Sequence, residues 1–411
     1  MSSLKKIIII LFIGLVLRIT VVVLFGDFQN NYYWEYGEIA KNVVSGKGYS
    51  LHYIKDSQLK YRFSEDVKPE TSAYMPPGYV GFLIPFIPIE NNTLRNALIY
   101  LVHIFFSMLT ILLIFYLSKN IFNEKIAFLA AIIVSLLPEF LYANLSFTPT
   151  IIYHLLVVLL LFYLLKTPTG GTEYSYTIGI IFSIIIYFRS EFVLYALLSG
   201  VVWLFQKDFK RFLRIYTFVI LLLSPWLIRN IIVFENDILL SSSVGINLYR
   251  GNNPNGIGLW GDEQTLQSII DMHEGNIEVE MNEYYKREAI SYIMNNPDKV
   301  IKNFFSKIYQ HWFYNSMDKR TNNTLYLIPA IFVLFAFIYG ISFSFNWSKY
   351  KFIYIFFIYS TIIVVVFFPM SRYQTMMKIM MIPFAAYGLY SFCFAFKTKI
   401  KRIYRSYIIR D

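Results

Sequence analysis

The sequence predicts an all-α polytopic membrane protein, and three observations carry that reading. Of its 411 residues, 56% are hydrophobic and 15% charged, too apolar a balance for an ordinary soluble domain. The apolar residues are gathered in runs fit to cross a bilayer, near 6–26, 97–118, 126–143, 149–165, 175–188, 191–206, 212–233, 324–346, 350–369 and 375–396, about ten spans. The basic residues, which give a net charge of +11, are spread among the short links between these runs and the tail KTKIKRIYR. They read as topology signals, which sets nucleic acid aside as a partner.

Taken in order, the first run follows Lys5 and Lys6, reaches Phe25, carries Arg18 and lacks a small-residue cleavage site, so it reads as an uncleaved first span. A polar loop over 27–75 comes next. Within it YYWEYGEIAKNVVSG has Ile39, Val43 and the aromatics on one face of a short helix ended by Gly46 and Gly48, an amphipathic element expected to lie on the membrane surface. The apolar segment 76–89 opens with Pro76-Pro77 and holds Pro85 and Pro88; it is too short to span and reads as an interfacial or re-entrant helix.

If 76–89 does not cross and the N-terminus is cytoplasmic, the links holding Lys119/Lys125, Lys166, Lys207/Lys210/Arg211 and Lys349/Lys351, with the basic tail 397–411, all fall inside. Both termini are then cytoplasmic. The loops 27–75 and 234–323 and the short turns at 144–149, 189–191 and 370–374 share the outer face of a cytoplasmic membrane. In the second loop INLYRGNNPNGIGLWGD is turn-rich, and EVEMNEYYKREAISYIMNNPDKVIKNFFSKIYQHW reads as two helices parted at Asn296-Pro297. With no internal repeat and no separate soluble unit, 1–411 forms one membrane domain. The single cysteine, Cys393, excludes an intrachain disulfide.

Nucleotide-hydrolase, serine-esterase and zinc motifs are absent, and no residue set has metal-ligand spacing, so neither a metal nor another cofactor is expected. His103 and His154 lie inside apolar runs and read as hydrogen-bonded structural residues. Chemistry concentrates in the acidic start of loop one. Asp27, Glu35 and Glu38 stand beside a span end, where a carboxylate can take a proton from an acceptor hydroxyl. Solvation of a helix face explains Glu38 equally well, and capping explains Asp27; Glu35, between Trp34 and Tyr36, is the preferred base.

Cations at the same boundary suit an anionic lipid head group. Arg189, in the short turn FRSEF, is the preferred phosphate ligand, with pairing to Glu191 as its structural alternative; Arg372 and Arg229 follow, and Arg250 and Lys378 are weaker candidates. Tyr36, Tyr74, Pro76, Pro77 and Asn252 complete the expected substrate-facing set.

The succession EYGEIAKNVVSGKGYS, TSAYMPPGYVGFLIPF and YLSKNIFNEKIAFLAAIIVSLLP resembles the membrane-embedded GT-C glycosyltransferases, in particular bacterial relatives of glycosyltransferase family 39, which includes protein O-mannosyltransferases and the enzymes that add aminoarabinose to lipid A. FRSEFVLYALL, PWLIRNIIVFENDILLSSSVGINLYRGNNPNGIG, EYYKREAISYIMNNPDKVIKNFFSKIYQHW and SRYQTMMKIMMIP continue the resemblance along most of the chain. It implies a polyprenyl-phosphate sugar donor, a glycan, lipid or protein acceptor on the outer side, and inverting transfer with an acidic base just after the first span. The chain departs from the pattern twice. The position of the family's usual aspartate falls near Tyr32, leaving Glu35 or Asp27 to serve, and TPTIIY lacks a glutamate that relatives often carry close to Pro149.

The expected function is a membrane glycosyltransferase. A multi-span transporter or lipid flippase, which would place ionisable groups and broken helices at the membrane midplane, is the rival from another class; an inactive GT-C relative is the third reading.

Overall fold

A computed structural model describes residues 2–52, 54–55, 59–60, 68–166, 173–235, 238–254, 276–315 and 319–408. The architecture is helical. Among the described residues, six elements are long and apolar enough to cross a membrane: α1 (Ser3–Phe25), α4 (Asn92–Ile121), α10 (Phe209–Val233), α14 (Thr324–Ser344), α15 (Trp347–Val366) and the Ser371–Phe396 part of α16 (Ser371–Ile408). A seventh is α5 (Glu124–Leu136) taken with α6 (Pro138–Tyr142) and its 3-10 extension, a pair bent by 56°. Pro138 causes the bend, since its ring forces Leu137 into an extended conformation, φ −65° and ψ 123°. The runs expected at 149–165, 175–188 and 191–206 appear as the shorter apolar helices α7 (Thr150–Lys166), α8 (Ser175–Phe188) and α9 (Val193–Phe205). The chain is a multi-pass membrane protein.

Two charged groups within the bundle are tied to partners. Arg18, fully buried in α1, donates from Nε to Ser107 Oγ at 2.6 Å and from its terminal nitrogens to the carbonyls of Gly14 (3.1 Å) and Val134 (3.2 Å), joining α1 to α4 and α5. Lys378 of α16 donates to Glu139 of α6 at 2.8 Å, both buried. Helices α14 and α16 pack backbone to backbone. A Cβ on Gly340 would come within 1.9 Å of the Phe384 carbonyl, and one on Gly388 within 2.1 Å of that of Ala336, the close approach that glycine allows between membrane helices.

Loop one folds back into the protein. Helix α2 (Trp34–Val44) forms where its periodicity predicts, and Gly46 and Gly48 leave it with φ of +77° and +71°. Its apolar side is covered by protein rather than lying free on a membrane surface: Tyr36, Ile39 and Ala40 are buried against α3 (Pro77–Leu83) and α4. The rings of Tyr36 and Tyr79 meet edge to face at 5.2 Å. Pro77 opens α3, where its missing N–H is no loss, and the 7-residue helix is too short to span. The short strands β1 (Ser50–Leu51) and β4 (Glu70–Thr71) pair antiparallel, as do β2 (Ile54–Lys55) and β3 (Leu59–Lys60).

The second loop supplies α11 (Val244–Gly251), α12 (Ile277–Asn295) and α13 (Pro297–Trp312). The break at Asn296-Pro297 stands as expected, with Asn296 outside the helical region at φ −133° and ψ 54°. The stretch INLYRG, expected as turns, is helical because Ile246 and Tyr249, three apart, are buried on one face beside Tyr285. The remainder of that turn-rich stretch, 255–262, lies outside the described residues. Glu278 staples the two loops, accepting from Ala73 N at 2.7 Å and from Ser242 Oγ at 2.5 Å.

Candidate functional site

Glu35 lies in the first turn of α2, directly after Trp34, which adopts a left-handed φ of +57° that costs an L-residue about 1–2 kcal/mol. That step turns the chain sharply into the helix. The half-buried carboxyl of Glu35 is surrounded densely enough that desolvation raises its pKa; the Arg250 and Arg372 guanidinium groups pull it back, and Glu38 adds to the rise. Burial pushes the neighbouring Tyr36 hydroxyl up to about 12, with Arg372 and Arg189 opposing and Glu191 and Glu35 reinforcing. Helix α2 thus brings one carboxyl and one phenol into the field of three arginines, from α11, from the α8–α9 joint and from the start of α16.

Those arginines differ in how far they are committed. Arg189 donates from Nε to Glu191 Oε1 at 2.6 Å and from a terminal nitrogen to the same oxygen, so the structural alternative read from the sequence is realised. Its guanidinium carbon lies 4.7 Å from the Tyr373 ring centre and 5.9 Å from that of Tyr153. The pair lines a cleft with Tyr153, Tyr359, Ser360 and Tyr373. Arg250 reaches Asn247 Oδ1 at 3.4 Å. Arg372, half-buried beside Tyr373, keeps a buried Nε with no hydrogen-bond partner among the described residues.

Other sequence-predicted residues stand elsewhere. Asp27 is exposed, accepts from the Gln29 amide at 3.2 Å and has Tyr33 and Tyr100 as its electrostatic neighbours, so it shapes a turn. Glu38 is buried and paired with Lys41 at 3.0 Å, not solvated as the alternative reading had it. Arg229 is held in an aromatic box of Tyr49, Trp226 and Phe234 and donates to the carbonyls of Ser72 (2.8 Å) and Tyr49 (3.1 Å), clamping loop one to α10. Asn252 is buried, donating to the Leu248 and Val366 carbonyls at 2.9 Å each and accepting from Lys307 at 3.2 Å. Tyr74 and Pro76 are buried where loop one turns into α3, and Tyr74 O accepts from Ser241 Oγ at 3.0 Å.

Sequence reasoning missed the cleft's tyrosines, which come from α7, α15 and α16 and share no local spacing, and it placed Arg250 behind Arg189, Arg372 and Arg229. Arg250 stands 215 positions from Glu35 in the chain, a juxtaposition that only the fold creates.

Residues 76–228 match the family model described as dolichyl-phosphate-mannose-protein mannosyltransferase. The whole bundle is similar to the archaeal oligosaccharyltransferase AglB from Archaeoglobus fulgidus in complex with an inhibitory peptide and a dolichol-phosphate, with a TM-score of 0.56 at 12% identity. The chain has the GT-C fold. That likeness covers 98% of this chain and 52% of AglB; the apo form of the Archaeoglobus fulgidus oligosaccharyltransferase gives a TM-score of 0.56 at 13% identity, covering 99% and 52%. The chain therefore spans about half the length of the solved structures it matches. No curated protein matches it in sequence.

Proposed function

We propose that this GT-C protein is a membrane glycosyltransferase that moves a sugar from a polyprenyl-phosphate donor to a hydroxyl of a glycan, lipid or protein acceptor on the outer side of a cytoplasmic membrane. The carrying observation is the placement of Glu35, a half-buried carboxyl in the first turn of α2 within the electrostatic field of Arg250 and Arg372. Support comes from the GT-C fold and from the mannosyltransferase family model over 76–228.

In this reading Glu35 takes the proton of the acceptor hydroxyl while that oxygen attacks the anomeric carbon from the face opposite the phosphate. The carbon–oxygen bond to the phosphate breaks, its electron pair leaves with the lipid phosphate, and configuration inverts. Arg372, with an uncommitted Nε, is the leading ligand of the departing phosphate; Arg250 adds positive potential. Arg189, occupied by Glu191, orients the cleft from one side. Asp27 and Glu38, engaged in a turn and an ion pair, rank behind Glu35 as bases, and Arg229 ranks behind Arg372.

Transport keeps one observation in its favour, the buried Glu139–Lys378 pair beside the bent α5–α6 break. Incubating membranes with a radiolabelled polyprenyl-phosphate sugar separates the readings. Label passing to an acceptor with wild type and lost in Glu35→Gln supports transfer. Label crossing sealed vesicles without any new glycosidic bond would replace it with transport. Transfer gained only after Tyr32→Asp would mark the wild type as an inactive relative.

A further inference from the structure

Helix α13 is built inside out. Lys307, Gln310 and His311 are buried, whereas Ile301, Phe304, Phe305, Tyr309 and Phe313 are exposed, Phe305 by 65%. At 3.6 residues per turn these five positions fall within one side of the helix. A helix covering a soluble core has the reverse arrangement, apolar side inward.

Its buried side fastens to the end of α15. Lys307 Nζ donates to the Val365 carbonyl at 3.0 Å, Trp312 Nε1 to Thr361 Oγ1 at 3.0 Å, and His311 Nε2 lies 2.9 Å from Ser360 Oγ. As α13 advances from 307 to 311 its partners retreat from 365 to 360, so the two helices run antiparallel. Helix α15 is one of the membrane-spanning elements. The second half of α13 therefore lies alongside the last turns of a span, roughly 7 Å below its end at 1.5 Å per residue. Gln374 of α16 also reaches the Phe313 carbonyl at 3.4 Å, holding α13 at that depth. At this level of α15 Ile358, Ile362 and Val366 are exposed too. Two exposed lysines, Lys299 and Lys302, sit in its first half, away from the Val365-level contact.

We infer that α13 is bedded in the lipid leaflet at the Val366 end of α15, its aromatic side among acyl chains and Lys299 and Lys302 on anionic head groups. The occupant of this face is lipid. The inference stands on the membrane placement of α15 and is independent of the proposed transfer chemistry.

Spin labels test it on the full chain in nanodiscs. In a Cys393→Ser background, single cysteines Phe305→Cys and, as a second site, Tyr309→Cys are compared with Glu283→Cys at an exposed position of α12. Labels at 305 and 309 are expected to be relaxed by oxygen more than by a water-soluble nickel chelate, with the order reversed at 283. Nickel relaxation at 305 and 309 equal to that at 283 would put the face in water, and shielding from both relaxants would put a protein surface there; either result overturns the inference. Replacing phosphatidylcholine by phosphatidylglycerol should draw the 305 label deeper, and Lys299→Gln/Lys302→Gln should abolish that response; a response unchanged by the two substitutions would refute the head-group contact.

Discussion

Arg189 and Glu191, two residues apart at the α8–α9 joint, close on each other through a 2.6 Å hydrogen bond from Nε. A buried guanidinium already neutralised by its own turn has less charge to offer a phosphate than one that is not. Arg372, with its buried Nε unpartnered, is in the opposite condition. Losing a charge-assisted hydrogen bond costs about 1.5–3 kcal/mol, so Arg372→Ala should weaken binding of a short-chain polyprenyl phosphate by about 10- to 100-fold. Arg189→Ala should weaken it less. Calorimetric titration in nanodiscs gives both numbers, and the reverse order would return the phosphate to Arg189.

Desolvation holds the Glu35 carboxyl above its ordinary 4.5, against the pull of Arg250 and Arg372. A general base works only when deprotonated. Activity should therefore fall with acid at a pH above the usual carboxylate range, visible as the acid limb of log kcat/KM against pH. Removing an opposing positive charge leaves desolvation less compensated, so Arg250→Gln should move that limb to higher pH. A limb that stays in place would remove the arginine from the neighbourhood of the base. Glu35→Gln should lower kcat by about 100- to 10,000-fold with little change in donor binding.

Lys378 and Glu139 form a buried pair across α16 and α6. Removing one member strands the other charge in the bundle. Lys378→Met should destabilise by about 3–5 kcal/mol, and the double variant Lys378→Met/Glu139→Leu should recover much of that loss. Thermal unfolding in detergent measures all three, and additive losses in the double variant would contradict the pairing.

The two loops are joined through Glu278, which accepts from the buried Ala73 amide and from Ser242. Glu278→Ala leaves that amide without an acceptor and should cost about 1–3 kcal/mol. Faster proteolysis within loop one is the accompanying sign, and unchanged cleavage would mean that other contacts hold the loops together.

Much of this fold was legible in the sequence because membrane helices announce themselves by composition. Helix α2, the stop at Gly46 and Gly48, the break at Pro297 and the short helix after Pro76 each followed from a local rule. Where long-range packing decided, local rules failed. Helix α2 is amphipathic, and its apolar side met α3 and α4 rather than lipid, which no property of 34–44 alone can specify. INLYRG became helical through burial of Ile246 and Tyr249 beside α12. In the site, loop-one chemistry pointed to Glu35, but Asp27 and Glu38 could be set apart from it only by their partners, Gln29 and Lys41. Ranking Arg372 over Arg189 required knowing that Glu191 is in reach of one and not the other's Nε.

Lipid mass spectrometry of the purified protein tests whether Glu35 and Arg372 handle a sugar carried on a lipid phosphate. Glu35→Gln, able to bind and unable to transfer, should copurify with a polyprenyl-phosphate sugar, and adding Arg372→Ala should remove that lipid. Finding only bulk phospholipids with Glu35→Gln, or the same sugar lipid with and without Arg372, would contradict the account.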